Sequence, residues 1–100
     1  IPKGVAPRRV LDERLNLQRS ALAGVEVLRD EAADAPDARG HRITFGGVPE
    51  VDGGVPLRIT EVLLVHGETA VLVNLIATVE LHEQKSAVFE QVVSSVSFLQ

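Results

Sequence analysis

The chain has 100 residues, a net charge of −4, and no cysteine, methionine, tryptophan or tyrosine. That length makes one domain, which buries roughly two-thirds of its unfolded surface, and 45% hydrophobic content supplies a core without metals or disulfides. The acidic balance argues against a nucleic-acid surface, which needs clustered Lys and Arg; the lack of cysteine excludes disulfides, zinc–thiolate sites and thiol catalysis, and leaves cytosolic and exported settings both open.

Ile1 is not a translation start, so either a leader has been removed or the segment belongs to a longer chain. Pro2 and Pro7 make residues 1–7 an extended lead-in, with Pro7 suited to a first helical turn. Residues 8–22 have helical spacing: Leu11, Leu15 and Leu22 share a face with Gln18, while Asp12, Glu13, Arg14 and Arg19 lie outside. Gly24 follows as a helix stop. Lys3, Arg8, Arg9, Arg14, Arg19 and Arg29 read as solvated surface.

Residues 25–30 have strand character, and residues 31–40, with Pro36 and Gly40, read as a mobile connection. Residues 41–45 alternate cleanly, His41 and Phe45 in line with Ile43. Residues 46–54 contain four glycines and read as a loop; neither phosphate-loop spacing is met, and hairpin geometry is the better explanation.

Two long strands follow, joined by the turn His66-Gly67-Glu68-Thr69. On the first, Leu57, Ile59, Leu63 and Val65 share one face, with Arg58, Thr60, Val62 and Leu64 opposite. On the second, residues 70–81, the odd-numbered side chains from Val71 to Leu81 oppose Leu72, Asn74, Ile76, Thr78 and Glu80. This pattern predicts an inner strand pair covered on both sides. Its apolar run, 70–77, is far short of the ~18 residues of a transmembrane helix. Residues 83–96 form an amphipathic helix with a stripe of Val88, Phe89, Val92, Val93 and Val96, and Phe98 closes the sheet in a short terminal strand, residues 97–99.

The fold class expected is therefore α+β: a single domain over residues 1–100, with an antiparallel sheet of about four strands and two helices packed on it, both on one face. Chemistry-bearing residues are sparse. His41, His66 and His82 lie on separate elements, and His82 beside Glu83 reads as an exposed polar residue at a helix start. No serine sits in a nucleophile elbow. Glu61 interrupts an apolar face, which a bulge or an exposed strand end would explain, and with Glu80 it makes the one strand pair of carboxylates worth naming. The polar set Arg58, Thr60, Glu61, Asn74, Thr78 and Glu80 is the candidate binding surface, with Arg58 and Glu80 placed for a cross-strand ion pair. No cofactor and no metal site is expected.

Gly40, the strand at 56–65, the short turn, the Ala77-Thr78 step and the ending Ser95-x-x-Phe98 together resemble the second half of a PsbP/Mog-type domain, including its DcrB-like and LpqN-type bacterial members. The helix at 8–22 and the strand after it fit too, so the resemblance covers most of the chain. It departs in lacking the family's opening strands, which implies a domain short of its N-terminal strands or completed by another chain, and in carrying Arg42 close after Gly40. The resemblance implies a non-enzymatic accessory domain that binds a protein partner, with a homo-oligomer through an open sheet edge as one form. The alternative is a small-ligand binder or enzyme in a cone-shaped α/β fold of the nuclear-transport-factor type, with Glu61, Asn74 or His41 converging on a cavity.

Overall fold

The computed structural model describes residues 5–51 and 53–98; Ile1, Pro2, Lys3, Asp52 and Leu99 lie outside them. Helix α1 spans Pro7–Gln18, followed by strands β1 (Leu22–Ala32), β2 (Arg39–Pro49), β3 (Leu57–His66) and β4 (Thr69–Thr78), and helix α2 (Val79–Ser95). The four strands form one antiparallel sheet in the order β1-β2-β3-β4. The expected α+β class is the observed one.

The helices do not share a face. Successive strand residues point to opposite sides, and adjacent β3 residues reach different helices: Glu61 bonds Arg14 of α1, and Thr60 bonds His82 of α2. Two separate cores result. Under α1 lie Leu11, Leu15, Leu22, Ile43, Phe45, Ile59, Leu63 and Val65. Under α2 lie Val62, Leu64 and Phe89, with Val73, Leu75, Val93, Val96 and Phe98 half-buried around them. Helical and strand periods were legible in the chain; the side each helix takes is set by where its connection crosses the sheet.

Several boundaries move for local reasons. Pro7 opens α1, where its missing N–H is no loss. The helix ends at Gln18, because Ser20 donates its hydroxyl to the Leu17 carbonyl, 2.7 Å, and the Arg19 N–H reaches Leu15 O. Leu22 thus belongs to β1. Gly24 is no helix stop: at φ +62° it sits inside β1, where the register slips between Ala23 and Glu26. A bulge of this kind needs a left-handed residue, which glycine adopts without strain.

Gly46 and Gly47 are strand residues of β2, not loop. A Cβ on Gly47 would stand 3.0 Å from Leu22 Cβ, so glycine lets β1 and β2 cross closely there. The loop shrinks to 50–56. Between β1 and β2, residues 33–38 are tied down: Ala35 and Ala38 bond each other, and the Gly40 N–H donates to Asp34 Oδ1 at 2.8 Å.

β3 is the inner strand, buried continuously from Ile59 to Val65. Its hairpin with β4 closes through Gly67 and Glu68, and Gly67 at φ +61° in the first central position suits a primed turn. β4 is an edge strand, so only β3 of the expected inner pair is covered on both sides. β4 stops at Thr78, and α2 starts at once with Glu80 in its first turn, where a carboxylate favours the helix dipole. Residues 96–98 form no strand.

Candidate functional site

Sheet alternation divides the six residues of the expected binding surface. Arg58 and Thr60 face α2. Glu61, Asn74 and Thr78 belong to the α1 side, since Glu61 pairs with Asn74 and Leu57 with Thr78 across the hairpin. Glu80 is exposed in the first turn of α2. Arg58 pairs in register with Ala77, so the expected Arg58–Glu80 bridge does not form; Arg58 instead lies 3.6 Å from Glu83.

Glu61 is neither at a bulge nor exposed. It is 2% exposed in an unbroken ladder, and Arg14 donates to both its oxygens at 2.7 to 3.2 Å. The Glu61 hydrogen bonds, and with them its charge, raise the Arg14 guanidinium above its ordinary value against the opposing effect of burial. Asn74, its cross-strand neighbour, is exposed because α1 does not reach over β4. The pair clamps α1 to the sheet.

The α2 side of the sheet carries a polar network that spacing alone did not reveal. Arg29, Thr44 and Thr60 form one row across β1, β2 and β3. The Thr44 and Thr60 hydroxyls share a hydrogen bond of 2.8 Å, and Thr60 bonds His82 Nε2 at 2.9 Å. Arg42, one step along β2 on the same face, donates to Glu90 through two nitrogens at 2.5 and 2.7 Å, its carbon 6.0 Å from the Phe89 ring centre. Arg29 pairs with Glu31. Together these side chains surround a cavity of about 220 Å³ between α2 and the sheet, walled on its apolar side by Leu28, Leu75 and Phe89.

His82 is buried, in contrast to the expected exposed position, since α2 begins four residues earlier than the apolar stripe suggested and turns His82 inward. Burial first, and then the Arg58 charge, lower its imidazole below the ordinary value; Glu83 pulls weakly the other way. His41 is buried beside Asp30, which also lies 3.7 Å from Arg8. His66 Nδ1 lies 2.6 Å from the Asp37 carbonyl, and its ring stacks on Phe98 at 5.2 Å. Among the described residues no group of three His, Asp or Glu could hold a metal ion, and no helix is long and apolar enough to cross a membrane.

The two sheet edges differ sharply. β1 carries Glu26, Arg29, Asp30 and Glu31 along its length and has two register shifts. Charges and bulges of this kind protect an edge from pairing. β4 reads T-A-V-L-V-N-L-I-A-T, without a charge, proline or bulge, and Ile76 and Leu72 are 54% and 36% exposed. Next to this edge α2 exposes Leu81, which the sequence placed on the strand, and Val88 and Val92, the part of its expected stripe that misses the core; only Phe89 of that stripe is fully buried.

No family model, no curated protein and no solved structure matches the chain.

Proposed function

We infer that this chain is a non-enzymatic accessory domain of PsbP/Mog type that binds a protein partner by strand addition along β4. The observation that carries the reading is the contrast between the edges: β1 is guarded by charges and bulges, and β4 is ten residues long, uncharged and regular. Alternate β4 residues turn their N–H and C=O groups away from β3, and none of the described hydrogen bonds outside the β3 ladder reaches them. An added strand would satisfy that row, while Leu72 and Ile76 on one side and the Leu81, Val88 and Val92 flank on the other supply apolar contact.

A second copy is one partner that fits. Antiparallel self-pairing centred on Asn74 sets Leu72 against Ile76 and each Asn74 amide against its own counterpart, with no like charges opposed. Photo-crosslinking tests the reading, with the reactive residue at position 76 on β4 or at position 26 on β1. Crosslinked protein is expected from 76 alone, and Leu72→Lys should suppress it; the product mass tells self-association from a different partner. Equal crosslinking from both positions, or none from 76, would count against strand addition at β4.

A further inference from the structure

We propose that the cavity between α2 and the sheet is a binding site for a small organic monocarboxylate with an apolar body. Three guanidiniums, from Arg29 on β1, Arg42 on β2 and Arg58 on β3, line it around the Thr44–Thr60–His82 chain of hydrogen bonds. The inference does not depend on the use of β4, which lies at the sheet edge.

Charge and donor supply define the ligand. Each arginine has one glutamate: Glu31 for Arg29, Glu90 for Arg42 and Glu83 for Arg58. Those three carboxylates are 49%, 50% and 69% exposed and balance the arginine charge, Glu90 at the cavity wall itself. A balanced cluster tolerates one further negative charge better than two, which favours a carboxylate over a phosphate dianion. Arg58 has donors to offer, because its contact with Glu83 at 3.6 Å is outside hydrogen-bond distance and its side chain is 28% exposed. A guanidinium fork matches a carboxylate in a bidentate geometry. The apolar wall of Leu28, Leu75 and Phe89 then receives the body of the ligand. The volume, about 220 Å³, is below that of a drug-sized pocket, which suits a short acid.

Isothermal titration calorimetry with butyrate, phenylacetate, the neutral phenylacetamide and inorganic phosphate tests the assignment. Both carboxylates should bind one per chain in the millimolar range or tighter, with phenylacetamide and phosphate weaker by about tenfold, the loss of one charge-assisted hydrogen bond. Arg58→Gln should weaken phenylacetate by about the same factor, and circular dichroism checks that the variant keeps its fold. Arg29→Gln gives a second reading at the rim, and Arg9→Gln on α1 should change nothing. The proposal fails if neither carboxylate saturates the wild-type chain, if phenylacetamide or phosphate binds as tightly, or if folded Arg58→Gln and Arg29→Gln both retain full affinity.

Discussion

A carboxylate in the middle of a buried strand is expensive unless something neutralises it, and Glu61 is neutralised by a residue 47 positions earlier in the chain. Removing one partner of a buried pair leaves the other without compensation. Arg14→Leu should therefore cost about 3 kcal/mol in urea denaturation, and adding Glu61→Leu should recover most of it, because an apolar pair of similar volume is often neutral or stabilising there. A double variant as unstable as the single would show that the pair does more than hold α1 down. His82 makes a prediction about pH. Its imidazole titrates lower in the folded chain than in the unfolded one, near 6.5, so in the window between the two values the unfolded chain binds more protons. Its contribution is complete above that window and declines as pH falls through it. Urea midpoints measured on both sides should show this slope, and His82→Gln should flatten it; an unchanged slope would show that His82 is not its source.

The elements are attached by few residues each. Phe89 is the single fully buried residue of the expected α2 stripe, at 7% exposure, and its ring lies under the Arg42 guanidinium. Phe89→Ala should cost about 3–5 kcal/mol, seen as a lower denaturation midpoint. Val88→Ala, at an exposed neighbour, should barely move it. In β1 the left-handed Gly24 sets the bulge, and no atom stands within 4 Å of an added Cβ. Gly24→Ala is thus a test of conformation alone, and should destabilise by about 1–2 kcal/mol. No effect would mean that β1 can straighten and slide along β2.

The whole molecule is a three-layer arrangement, α1 on one side of the sheet and α2 on the other, with stability concentrated at its centre. β3 is bonded on both edges and buried on both faces, so its amides and those of β2 should exchange slowest in native-state hydrogen exchange. The outward amides of β4 should exchange fastest within the sheet, and slow on addition of a partner. Fast exchange across β3 would contradict this layering. How much of this could be read from the chain follows from the range of each interaction. Periodicity and turn chemistry act within a few residues, so the helices, the strands, the Gly67–Glu68 turn and the two faces of β3 were legible without coordinates. So was the oddness of Glu61. Its partner was not, since Arg14 has the same spacing on α1 as any solvated arginine. Arg42 and Thr44, alternating with Ile43 and Phe45 on an inner strand, were the signal for a second, polar interior face, visible in retrospect from polar residues repeating along one face of a central strand. That α1 and α2 lie on opposite faces, that His82 turns inward, that three arginines from three strands meet over one cavity and that β4 is left open are outcomes of register and crossing. Those depend on contacts between residues far apart in the chain, and only the assembled tertiary structure brings them together.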